Sequence, residues 1–118
     1  MLPKHLNSDA LLVNAVNEKL YTNLITQLNK DFSLANLGIN LTKNSTPAML
    51  KEELRKVIKH LILTDLNSYK NLLYIVDIPE VMTYKKEASN IDTYTESIVF
   101  LILKRVWKKV WFRANYSN

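Results

Sequence analysis

The stretch LILKRVWKKVWFRAN, Leu101 to Asn115, carries Lys104, Arg105, Lys108, Lys109 and Arg113 together with Trp107 and Trp111. Read along the string, charge and aromatics alternate, as they do in a binding motif. Wound at 3.6 residues per turn, they separate. Val99, Phe100, Leu103, Val106, Trp107, Val110, Trp111 and Ala114 share one arc, the five cations occupy the opposite one, and only Phe112 falls on the wrong side. The pattern predicts a helix with one face turned to a core, Trp107 as its anchor and Trp111 at the edge of the buried arc. Cations near its C-terminal end complement the helix dipole.

Upstream, Thr93-x-x-Glu96 matches a capping box, so this last helix is expected from about Tyr94 to Ala114. Ile98, Leu101 and Ile102 make its N-terminal half apolar on the side opposite the tryptophans as well. That half needs cover on both sides, from two neighbouring helices or from a second copy of the chain.

The rest of the chain reads as helix too. A first long helix is expected to start at Ser8 as N-cap, with Asp9 in its first turn. Its apolar face runs through Val13, Val16, Leu20, Tyr21, Leu24, Ile25, Leu28 and Phe32, and it ends near Asp31 or at Gly38, the sole glycine. Thr46-Pro47 reads as the N-cap and first residue of a second long helix. Its early face, Leu50, Leu54, Val57, Ile58 and Leu61, and its later face, Ile62, Leu66, Tyr69, Leu72, Leu73 and Val76, are offset by roughly a fifth of a turn. The helix therefore supercoils, bends or breaks, with Thr64-Asp65 and Asn67-Ser68 marking the place and Ile78-Pro79 the end. Residues 79 to 90 suggest a short helix or a turn-rich link. The fold class expected is all-α: a single domain over residues 1–118, a compact bundle of three long helices plus a short fourth, with any bend near Asp65.

Composition agrees with a globular domain, at 47% hydrophobic and 23% charged residues. The absence of cysteine removes disulfides and thiolate sites and makes the cytoplasm the expected compartment. The N-terminus has no signal-peptide pattern, and the longest apolar run, Ile98 to Leu103, is too short to span a bilayer. Charge is unevenly placed. Residues 1 to 103 hold 11 Lys/Arg against 11 Asp/Glu, so the net +5 resides in the five cations of residues 104 to 118. Such asymmetry points toward an acidic partner surface or a polyanion.

No pattern in the chain points to catalysis. One glycine excludes the glycine-rich phosphate loops. The two histidines, His5 and His60, lack the spacing of a helical metal site, and His60 reads as a surface residue. Asp65 interrupts an apolar stripe, and its expected role is to cap a helical turn or pair with a lysine rather than to do acid–base work. Glu96 is accounted for by its capping box. No cofactor is implied. The expectation is a non-enzymatic interaction or accessory protein whose partner-binding residues are Lys104, Arg105, Lys108, Lys109 and Arg113. The partner expected is a protein, including a second copy as homodimer. Electrostatic, largely nonspecific nucleic-acid binding through the same cations stands second.

Overall fold

The computed structural model describes residues 4–84 and 90–116, and within them every regular element is a helix. In chain order these are α1 (Ser8–Asn17), α2 (Tyr21–Leu34), α3 (Pro47–Thr64), α4 (Leu66–Val76), α5 (Glu80–Tyr84) and α6 (Ile91–Tyr116). The all-α fold class holds, with six helices where four segments were expected.

The first predicted helix is two. Its cap is Asn7, whose side chain accepts from the Ala10 amide at 2.9 Å, and Ser8 is the first helical residue, buried. Leu11, Leu12 and Ala15 form the buried face of α1, whereas Val13 and Val16 are 57% and 45% exposed. The break falls at Lys19, which takes the left-handed conformation (φ 60°). There the Lys19 amide donates to the Val16 carbonyl and the Leu20 amide to the Ala15 carbonyl. These two bonds close the end of α1 and turn the chain, so the apolar stripe restarts in a new register through Leu24, Ile25, Leu28 and Phe32 of α2.

The same device ends α2, where Asn36 (φ 61°) donates to Ser33 and Leu37 to Phe32. It also ends α4, where Asp77 (φ 70°) donates to Tyr74 and Ile78 to Leu73. Gly38 is not the cap that the sequence suggested, for it has no positive φ. The segment after α2 is pinned by Asn29, which accepts from the Leu41 amide at 2.7 Å and donates to the Leu41 carbonyl at 3.0 Å. Farther on, the Tyr21 hydroxyl donates to the Ser45 carbonyl at 2.7 Å.

Thr46 caps α3 by accepting from the Met49 amide at 3.2 Å, with Pro47 in the first turn as expected. Leu50, Leu54, Ile58 and Leu61 are its buried stripe. The suspected discontinuity at Asp65 is a true break. With φ −151° and ψ 74°, Asp65 leaves helical space, and its carboxylate accepts from the Ser68 amide (3.2 Å) and the Ser68 hydroxyl (2.6 Å) to start α4. The side chain is exposed, so Asp65 is a cap and not a buried acid; Leu66, assigned to the apolar face, is exposed too.

The sixth helix begins earlier than the sequence indicated. Asn90, not Thr93, accepts at its start, from the Thr93 amide at 2.9 Å, and Thr93 lies inside the helix. The capping box is therefore not formed. Glu96 instead reaches across to α3. Helix α6 packs against α1, α2, α3 and α4 and is the central element of the bundle. Ile98, Val99, Leu101, Ile102, Leu103, Val106, Trp107 and Val110 are buried almost completely, and Trp111 nearly so. The need for cover on both sides of Ile98, Leu101 and Ile102 is thus met within one chain. Phe100 is half-buried and Ala114 exposed, so the arc is narrower at its ends than the helical wheel implied. All buried apolar side chains of the described helices join one cluster. The radius of gyration, 13.7 Å, matches the roughly 13.5 Å expected of a chain this long folded around a single core.

Candidate binding surface on the sixth helix

The five cations singled out in the sequence do not form a uniform surface. Three are engaged by side chains of other helices. The Arg105 guanidinium pairs with the Asp77 carboxylate at the end of α4. Lys109 Nζ lies 3.1 Å from Asp31 Oδ2 of α2. Arg113 Nη1 donates to Gln27 Oε1 at 3.2 Å.

Asp31 explains why two of those contacts exist. It lies three residues after Leu28 and beside Phe32, on the inward side of α2, and its side chain is only 3% exposed. A carboxylate in that position needs compensation. It receives one hydrogen bond from Gln27 Nε2 at 3.0 Å and the charge of Lys109 on the other oxygen. Gln27 uses its carbonyl for Arg113. The result is a directional chain, Arg113 to Gln27 to Asp31 and Lys109 to Asp31, that locks the C-terminal half of α6 onto α2. Spacing in the sequence could not have shown it, because the partners lie 78 and 86 residues apart. The available signal was Gln27 and Asp31 falling on the same face as Leu24 and Leu28.

Lys104 and Lys108 differ. Both are exposed and neither pairs with an acid among the described residues; Lys104 Nζ stands 4.7 Å from the centre of the Phe100 ring one turn earlier. The two lysines border a groove of about 310 Å³ between α6 and the α4–α5 corner, whose apolar lining comes from Ile78, Met82 and Leu101. Met82 and its neighbour Val81 are exposed, a feature that the weak helical signal of residues 79 to 90 did not reveal.

Beyond Arg113, Phe112 and Tyr116 are exposed and stack on each other at 5.4 Å, and the Trp111 ring meets both edge-on at 5.2 and 5.9 Å. Trp107 is 1% exposed, and its indole Nε1 has no hydrogen-bond partner among the described residues. Trp107 is a core residue, and its ring is not available at the surface.

The opposite half of α6 carries a second charged assembly. Lys51 of α3 bridges Asp9 of α1 at 3.2 Å and Glu96 of α6 at 3.1 Å. Arg55 reaches Glu52 at 3.0 Å and Glu96 at 3.2 Å, while Lys59 holds Asp92 at 2.8 Å. Burial works against the Lys51 ammonium, but the hydrogen bonds and charges of Glu96 and Asp9 outweigh it and hold its pKa above the ordinary lysine range. The Lys59 hydrogen bond and charge, with Arg55 behind them, hold the Asp92 carboxyl below the usual carboxylate range. These pairs staple α3 to α1 and α6.

Among the described residues no three of His, Asp and Glu stand close enough together to hold a metal ion. His5 Nε2 bonds Asn14 Oδ1 at 2.9 Å, and His60 is exposed. No described helix is long and apolar enough to cross a membrane. No protein-family model matches the chain, nor does any curated protein or solved structure.

Proposed function

We propose that this chain is a non-enzymatic accessory module that docks an acidic protein segment on the outer face of α6. The observation that carries the reading is the pair Lys104 and Lys108, two exposed cations without an acid partner among the described residues, beside a groove with an apolar lining. An ammonium already neutralised inside the fold contributes little to a partner, whereas an unpaired one adds both steering and contact energy. Arg105, Lys109 and Arg113 are assigned to positioning α6 and to the edge of the surface. The exposed thioether of Met82 adapts to an apolar side chain on the partner.

The test is a charge reversal, Lys104→Glu with Lys108→Glu, set against Lys56→Glu, an exposed lysine on α3. A photo-crosslinker at Lys108 in the native host identifies the bound protein and its linked peptide. Loss of that same protein in the double reversal, its retention in the Lys56 variant, and an acidic linked peptide are the expected results. Retention in the double reversal removes the surface from consideration.

Nucleic-acid binding has one observation in its favour. Phe112 and Tyr116 are exposed aromatics flanking Arg113, the combination used to stack bases along a backbone-tracking cation. It ranks second because the two rings stack on each other and the tryptophans are withdrawn. An unrelated single strand that shifts the protein at low salt, and is released steeply as salt rises, would reverse the order.

A further inference from the structure

On the other side of Arg113 lies a pocket that the docking surface does not use. It has a volume of about 370 Å³ and opens between the first three turns of α2 and the end of α6. Thr22, Asn23, Thr26, Gln27, Lys30 and Arg113 supply its polar lining, above an apolar base of Val110 and Ala114, and no carboxylate takes part. We propose that this pocket binds the oxyanion of a small polar molecule, a phosphate monoester or a carboxylate.

Two cations converge on a space without an acid. Lys30 makes no ion pair among the described residues. Arg113 contributes Nη1 to Gln27 Oε1, which leaves the remaining donors of a five-donor guanidinium for a ligand. The anchoring matters as much as the charge. Gln27 is buried and fixed by Asp31, and Asp31 is fixed by Lys109, so the Gln27 carbonyl is a rigid mount that pre-orients the guanidinium. Ordering a long side chain before the ligand arrives lowers the entropy cost of binding, and a planar fork matches two oxygens of a phosphate or carboxylate.

Thr22 and Asn23 add neutral donors. They lie in the first turn of α2, whose N-terminus at Leu20 has no side-chain cap. The volume is at the low end for small-molecule sites and suits a molecule of about the size of a phosphorylated sugar. The absence of a carboxylate from its lining sets it apart from the groove at Lys104 and Lys108, which Asp77 lines.

Amide-resolved NMR titration of the full chain tests the assignment, with inorganic phosphate, glycerol 3-phosphate and citrate as probes and chloride at matched ionic strength as reference. Expected is a saturable shift confined to Thr22, Asn23, Thr26 and the Arg113 side chain, with Kd below about 10 mM. Lys30→Gln and Arg113→Gln each weaken it about tenfold, whereas Lys104→Gln with Lys108→Gln leaves it unchanged. The stronger of the phosphate and citrate arms names the source of the oxyanion. Lys30 is exposed and makes no ion pair among the described residues, so its variant reads binding with little effect on stability. The inference is overturned if none of the three probes saturates, if the shifts spread equally to Lys104 and Lys108, or if Lys30→Gln binds as before.

Discussion

At the level of single residues, the five cations of α6 look equivalent on a helical wheel and are not equivalent in the folded chain. Lys109 answers a buried charge, and its removal leaves the Asp31 carboxylate with Gln27 as its only donor among the described residues. Lys109→Met should therefore lower unfolding stability by about 2 kcal/mol, a value reduced from that of a fully buried pair because the lysine is itself partly exposed. Lys104→Gln and Lys108→Gln should each stay within about 0.5 kcal/mol of the parent. Denaturant melts of the three variants check this directly, and equal losses for all three would show that the division is wrong. What the sequence showed of this surface was its sign and its helical face. Which cations the fold itself uses depended on Asp77, Asp31 and Gln27, brought in by tertiary packing, and no spacing along α6 encodes that. Asp65 is the contrary case. A polar residue inside an apolar stripe, followed three positions later by Ser68, is a local pattern, and its capping role was readable because both partners lie within one turn.

Among the elements, helix ends separate what was legible from what was not. Among the starts, Thr46-Pro47 was read correctly, whereas Ser8 lies one residue after the true cap Asn7, and Thr93 three after Asn90. The stops of α1 and α2 were missed because glycine was the signal sought, while these helices close on Lys19 and Asn36; α4 closes on Asp77, next to the Ile78-Pro79 pair that marked its end, and all three residues have φ of 60–70°. Each of these is followed by an apolar residue, Leu20, Leu37 or Ile78, that packs against the core. The fold supplies the energy for a left-handed residue by burying the side chain after it. The single glycine, Gly38, is not strained, and a Cβ there would meet nothing within 4 Å. Gly38→Ala should accordingly raise stability by about 0.4–1 kcal/mol through loss of unfolded-state freedom. Asn36→Val should lower it by about 1–2 kcal/mol, since a branched side chain resists positive φ. Thermal melts in which Gly38→Ala lost stability and Asn36→Val did not would place the cap back at the glycine.

For the molecule as a whole, α6 is the axis that four other helices share, and the ion pairs at its N-terminal half set a pH range for that arrangement. The pKa of Asp92 is depressed in the fold, so its contribution is complete above the unfolded-state value of about 3.9 and is lost as pH falls through the folded one. That of Lys51 is raised, so its contribution is complete below about 10.4 and is lost as pH rises through its folded value. Burial also raises the pKa of Tyr21 and, with the Tyr94 hydroxyl beside it, of Tyr69, which adds to the loss at alkaline pH. Melting temperature against pH should thus form a plateau falling at both ends, with Asp92→Asn flattening the acid side and Lys51→Met the alkaline side. Unchanged slopes in both variants would assign the limbs to other groups. The central place of α6 has a further consequence in time. It follows α1 to α5 in the chain, so those helices leave the ribosome before the surface they cover has been made. Until α6 emerges, the apolar faces of α1, α2, α3 and α4 lack the helix they pack against, and a holdase that shields apolar helices would find its client in that interval.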